Sequence, residues 1–212
     1  MNVNNNPQLE MWAWDGQTWT QQFPTIIPVG LGGFPSGFNL GYDVAHNQLL
    51  VDVNATFICC YANEFETWAS SGLGWTRVAS YPNAASGMKA YDAARTQEVM
   101  VGCALCYGGV DLNTWLWDGT AWTQPANSMT FSSSYISRVL AYDQALGQTL
   151  LLYWVGGALQ TWGWNGSKWN QLVLSTNPTP TMTAVGMAYD SVRGEMVLLG
   201  SSSSGYETWV LK

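Results

Sequence analysis

The chain is written in short apolar runs broken by turn residues, and the runs repeat. GYDVAHNQLLV (41–51) returns as AYDAARTQEVMV (90–101), AYDQALGQTLLL (141–152) and AYDSVRGEMVLL (188–199). The Tyr–Asp pairs begin at Tyr42, Tyr91, Tyr142 and Tyr189, which are 49, 51 and 47 residues apart. A second pattern appears as MWAWDGQTWT (11–20), TWASSGLGWT (67–76), TWLWDGTAWT (114–123) and TWGWNGSKWN (161–170), with a shortened TWVLK at 208–212. Its leading Trp falls at 12, 68, 115, 162 and 209, and a closing Trp follows seven residues later at 19, 75, 122 and 169. Self-similarity at a fixed period of this size marks a repeat architecture. No stripe at helical spacing is long enough to predict a helix.

Each unit predicts four short strands, a to d. Strand a is a small-residue segment ending in Tyr–Asp, whose carboxylate can accept backbone N–H groups in the a–b turn. Strand b is the apolar run that follows. Strand c carries Trp-x-Trp, with both indoles on one face because strand side chains alternate. Strand d opens at the closing Trp, after an Asp-Gly or Asn-Gly pair (15–16, 118–119, 165–166) suited to a tight hairpin. Strands apolar on both faces need cover on both sides, and neighbouring units supply it. Inter-sheet packing therefore claims most of the indoles; Trp154 alone stands outside the pattern. The expectation is one all-β domain over 1–212, a β-propeller of four units of four antiparallel strands. The units span 11–20 (partial), 37–79, 87–126, 137–173 and 184–212. Strands c and d at one end, three complete units of four, and strands a, b and c at the other make 17 strands, one more than four complete units hold. Pairing of the N- and C-terminal strands would close the ring, within a chain or across chains, with one of the two c strands (11–14 or 207–211) displaced.

Composition narrows the function. Charged residues are only 10% of the 212 and the net charge is −7, so the seven scattered Lys and Arg form no stripe for a phosphate backbone. A nucleic-acid partner is excluded on that ground. Six of the 14 acids (Asp15, Asp43, Asp92, Asp118, Asp143 and Asp190) recur at turn positions, and a solvated surface is the default expectation for the rest. MNVNNNPQLE has neither the basic start nor the apolar run of a secretory signal. No apolar run approaches the ~18 residues of a membrane span. The expectation is no membrane contact and a cytoplasmic location by default, or a processed fragment.

The repeated residues resemble the kelch family. The matching features are a diglycine after strand b (Gly108–Gly109, Gly156–Gly157), an aromatic before the c–d turn and a Trp opening strand d. The units are similar to bacterial kelch-like repeats of the form AYD…TWxWDGxxWTQ, over about Leu9 to Lys212. The resemblance implies the propeller type of galactose-oxidase-like central domains. The first full unit departs from it, with Tyr61–Ala62 for the diglycine and Ser70 for the second Trp, and the last has Gly200–Ser201. In WD-repeat propellers Trp–Asp closes a strand, whereas here it leads straight into a Gly turn.

Variable loops on a rigid scaffold are where recognition sits. The b–c loops of the first two units are extended, and the d–a connections 28–37, 124–137 and 174–183 are long and polar. Trp154, Tyr107, Tyr61 and Phe34 are the candidate ligand-binding residues, for a carbohydrate if the module is lectin-like. Cys59, Cys60, Cys103 and Cys106 cluster by the extended loops and leave three readings: buried thiols, a disulfide, or a thiolate zinc site, which the adjacency of Cys59 and Cys60 disfavours.

Catalytic readings find little support. His46, the sole histidine, falls in an a–b turn, and the copper of galactose-oxidase-like enzymes needs two. Arg77, Arg95, Arg138 and Arg193 are too few and too spread for the carboxylate cluster of sialidase-like propellers. Glu64 and Glu66, two apart in one loop, are the pair that could serve glycoside hydrolysis. The expectation is a scaffold without cofactor or metal that binds a protein partner or its own copies, through terminal strands in the second case. Carbohydrate binding is the first alternative and a loop-carboxylate hydrolase the second.

Overall fold

The structure, a computed structural model, describes residues 10–23, 40–54, 65–70, 72, 74–81, 87–102, 113–126, 129–131, 138–155, 158–175, 178 and 183–211. These residues form 17 strands and no helix. A first hairpin pairs β1 (Met11–Trp14) with β2 (Trp19–Gln22). The first full sheet is β3 (Leu40–Asp43), β4 (Gln48–Asn54), β5 (Phe65–Ser70) and β6 (Trp75–Tyr81). The second is β7 (Gly87–Asp92), β8 (Gln97–Gly102), β9 (Asn113–Trp117) and β10 (Trp122–Thr123). The third is β11 (Arg138–Asp143), β12 (Gln148–Val155), β13 (Ala158–Trp164) and β14 (Trp169–Leu172). The fourth has three strands, β15 (Thr183–Asp190), β16 (Glu195–Ser202) and β17 (Gly205–Leu211). Every sheet is an antiparallel meander in chain order. These are propeller blades: the first strands of successive sheets pack side by side, β3 on β7, β7 on β11 and β11 on β15.

The turns form for reasons local to their residues. In the c–d turns Asp15, Asp118 and Asn165 each accept two backbone N–H groups, from the residues two and three ahead, at 2.7 to 3.0 Å. The glycine that follows takes a φ of +100°, +100° and +96°, a region that costs any side chain strain. In the a–b turns Asp43, Asp143 and Asp190 accept the N–H three residues ahead. Arg95, Arg193 and His46 then fold back onto the Asp of their own turn.

The core lies between sheets rather than within one. Val51, Val53 and Trp75 of the first sheet pack with Met11 of the hairpin. Leu50 and Ala69 meet Met100, Trp115, Trp117 and Trp122 of the second sheet. Val99 and Val101 meet Leu140, Leu151, Trp164 and Trp169 of the third, and Leu150, Leu152 and Trp154 meet Met196, Leu198 and Leu211 of the fourth. A buried indole removes roughly 150–250 Å² from water, an upper bound of roughly 4–6 kcal/mol. Phe131, within the polar 124–137 connection, is buried edge-on against Tyr153, Trp162 and Trp169 at 5.4 to 5.8 Å.

The termini differ from the expected seam. The hairpin stands as a separate two-stranded sheet ahead of the first blade, and no ladder joins it to β15–β17 among the described residues. The reason is steric. β17 pairs with β16 along its whole length, from Met196–Leu211 to Ser202–Gly205, and so holds the place that β1, its repeat counterpart, would need. The extra strand is absorbed by giving the stack five positions, a hairpin and four blades.

Candidate functional site

The junction between two interior blades follows a rule that the repeat dictates. On β9, Trp115 and Trp117 face back to the first blade and pack with Leu50 and Ala69, while Leu116 faces forward to the third. Thr114, on the forward face, accepts the closing indole of the next blade, Trp169 Nε1 to Thr114 Oγ1, at 2.8 Å. One blade earlier Trp122 Nε1 donates to Thr67 Oγ1 at 2.9 Å. At the turn end, the His46 ring stands where a Cβ on Gly119 would be, and the Arg95 guanidinium where one on Gly166 would be. The a–b turns of the first and second blades thus cover the c–d glycines of the second and third.

The same positions are uncovered at the two ends. Trp12, Trp14 and Trp19 occupy the back-facing places of Trp115, Trp117 and Trp122, yet they are 48%, 52% and 64% exposed against 8%, 0% and 5%. Gly16 shares the turn and φ of Gly119, but no described atom lies within 4 Å of where its Cβ would stand. On the far end, Ala188, Val197, Leu199, Thr208 and Val210 form the forward face of the fourth blade. Leu199 is 39% exposed where its counterparts Val101 and Leu152 are fully covered. Arg193, counterpart of Arg95, is also exposed, and Asp190 of its own turn holds it at 2.6 Å. The three-stranded fourth blade has two further effects on the third. Thr161 Oγ1 is buried without a partner among the described residues, because no closing indole faces it, and Leu146 lacks a c–d glycine to cover.

A second feature interrupts the apolar junction between the first and second blades. Asp52 stands where the other units have Val101, Leu152 and Leu199. Lys89 replaces Leu40, Leu140 and Met187, and Glu98 replaces Leu49, Thr149 and Met196. Lys89 Nζ forms an ion pair with Asp52 Oδ2, both side chains being buried. Asp52 Oδ1 accepts from Thr67 Oγ1 at 2.8 Å, the same hydroxyl oxygen that accepts from Trp122 Nε1. The Lys89 ammonium also lies 5.9 Å from the Trp122 ring centre. The Glu98 carboxylate fills the space that Gly41 leaves by having no side chain. Burial pushes Glu98 up to about 7; Lys89 opposes the rise, and Asp43 and Asp52 add to it. Asp52 and Glu98 thereby correct the expectation that acids outside the turns sit in solvent. Enclosed as they are, these groups can hold a proton and fix the two blades in register.

The residues marked from sequence fare unequally. Trp154 is buried on β12 beside Leu152 and Leu159, so its ring is committed to packing between the third and fourth blades. Tyr107, Tyr61 and Phe34 lie outside the described residues, as do Cys59, Cys60, Cys103, Cys106 and Glu64. Glu66 binds Arg77 at 2.7 Å and accepts from Trp68 Nε1 at 2.9 Å. His46 is held by Asp43 at 2.8 Å in its turn. Among the described residues no group of three His, Cys, Asp or Glu is placed to hold a metal. Sequence reasoning missed the end faces and the charged junction. The signal for the first was in the repeat itself: Trp12, Trp14 and Trp19 stand at back-facing repeat positions of the first hairpin, with no earlier unit among the described residues to cover them.

No protein-family model matches the chain, and no curated protein matches it. Solved structures do. The exo-β-1,3-galactanase of Phanerochaete chrysosporium, solved with β-1,3-galactotriose, matches with a TM-score of 0.56 and 10% identity over 96% of this chain and 53% of that one. The β-propeller domain of the Trilobed protease from Pyrococcus furiosus, described as having an open velcro topology, matches with a TM-score of 0.49 and 10% identity over 92% and 52%. The chain spans about half the length of these two solved chains. At 10% identity the likeness to the galactanase is one of fold.

Proposed function

We propose that the chain is a kelch-like propeller scaffold without catalysis, which binds protein through the end faces of its blade stack. The observation that carries this reading is the exposure of Trp12, Trp14 and Trp19 at positions whose counterpart indoles between blades are buried or half-buried. Three large, rigid indoles on one hairpin make a patch that soluble proteins seldom leave open, and aromatic anchors dominate protein interfaces. A photo-crosslinking residue at Gln17 or Tyr206, on the two ends, should capture protein in cells, whereas one at Thr120, on an interior turn, should not. Equal capture at all three positions, or none at the ends, overturns the proposal.

One observation favours a second reading. Trp14 and Trp19 lie 5.4 Å apart with a 40° tilt on an open surface, an arrangement on which a sugar ring can stack. Titration with β-1,3-galactotriose, followed by indole emission, decides it. A saturable change that Trp19→Ala abolishes supports carbohydrate binding, and a flat titration removes it.

A further inference from the structure

We infer that the occupant of these end faces is a second copy of this chain, docked head to tail so that its hairpin continues the blade stack. The inference rests on the scaffold reading above and names its partner. The interface is already present inside the molecule, between the first and second and between the second and third blades. Its forward half is Ala90, Val99, Val101 and Thr114; its backward half is the indole pair of strand c and the closing indole of strand d. The chain carries one uncovered example of each half. Ala188, Val197, Leu199 and Thr208 stand at the equivalent forward positions of the fourth blade. Trp12, Trp14 and Trp19 stand at the backward positions of the hairpin.

Three specific contacts follow from superposing the rule on these ends. Trp19 Nε1 of one copy donates to Thr208 Oγ1 of the next, as Trp122 does to Thr67 and Trp169 to Thr114. Trp12 and Trp14 cover Val197 and Leu199, as Trp115 and Trp117 cover Leu50. Arg193 fills the open space at Gly16, as Arg95 does at Gly166, and there it meets Asp15. The Asp15 carboxyl is held below its ordinary range by the N–H groups of Thr18 and Gln17, so it is ionised opposite the guanidinium. The two faces therefore match in shape class, hydrogen bonding and charge. A contact of this kind is heterologous and leads to a ring or a filament.

Light scattering behind a sizing column, over a wide concentration range, gives the first readout. The mass should rise above the 23.2 kDa of one chain with concentration. Leu199→Glu alone, and Trp12→Ser with Trp14→Ser and Trp19→Ser together, should each hold the protein at one chain. Mixing these two variants is the decisive arm, because one keeps an intact hairpin and the other an intact forward face. A heterodimer from the mixture supports the inference, and misfolding cannot produce it. A strict monomer at every concentration overturns it, which is also the outcome if a chain closes on its own hairpin. Association without complementation overturns it too. If the protein stays monomeric while the crosslinker at Gln17 still captures another protein, the self-docking inference fails and the scaffold reading stands.

Discussion

At the scale of single residues, side-chain acceptors shape the turns and one buried carboxyl sets a pH response. Asp118–Gly119 and Asn165–Gly166 announce a hairpin because only that pair of residues supplies both the side-chain acceptor and the positive φ. Glu98 gave no such sign, since a Glu in a strand usually points to solvent. Only alignment with Leu49, Thr149 and Met196 marks its place as an interior one. The pH response follows from that burial. Folded Glu98 keeps its proton to about pH 7, while the unfolded chain releases it near the ordinary 4.5. The folded state thus carries the extra proton between these values, and stability from this group is whole below 4.5 and lost as pH rises through 7. Urea titrations from pH 4 to 8 should show stability falling over that window. Glu98→Gln should flatten the fall and leave the variant more stable at pH 8, by roughly 2–3 kcal/mol. An unchanged slope in the variant would assign the dependence to other groups.

At the scale of elements, strand number and order were legible because the repeat fixes them, including the seventeenth strand. What the pattern could not show is which c strand wins the place beside β16, since ETWVL (207–211) and EMWAW (10–14) compete on nearly equal terms. The junction rule makes two predictions here. Thr114→Val removes the acceptor of a buried indole N–H and should cost about 1–3 kcal/mol. Thr161→Val, at the equivalent place, removes a hydroxyl with no partner among the described residues and should be neutral or stabilising. Equal losses in the two urea transitions would contradict the rule. The charged junction gives the second contrast. Lys89→Leu alone strands the Asp52 carboxylate in the interior and should cost about 3–5 kcal/mol. Adding Asp52→Leu and Glu98→Thr restores the residues of the third blade, Leu140, Leu152 and Thr149, and should recover most of that loss in thermal melts. A triple variant as unstable as the single one would mean that the network contributes more than the packing it displaces.

At the scale of the whole molecule, the twelve indoles that the repeat pattern makes alike divide into those between blades and those on the end hairpin. Position in the stack, not residue type, decides which group an indole joins. Binding at the ends is the function we propose from that division. Acrylamide quenching of tryptophan emission in dilute solution tests it most directly. The stacked arrangement predicts a readily quenched component that disappears when Trp12, Trp14 and Trp19 are all changed to Phe, leaving blue-shifted, protected emission. A quenchable fraction of the same size in that variant would contradict it.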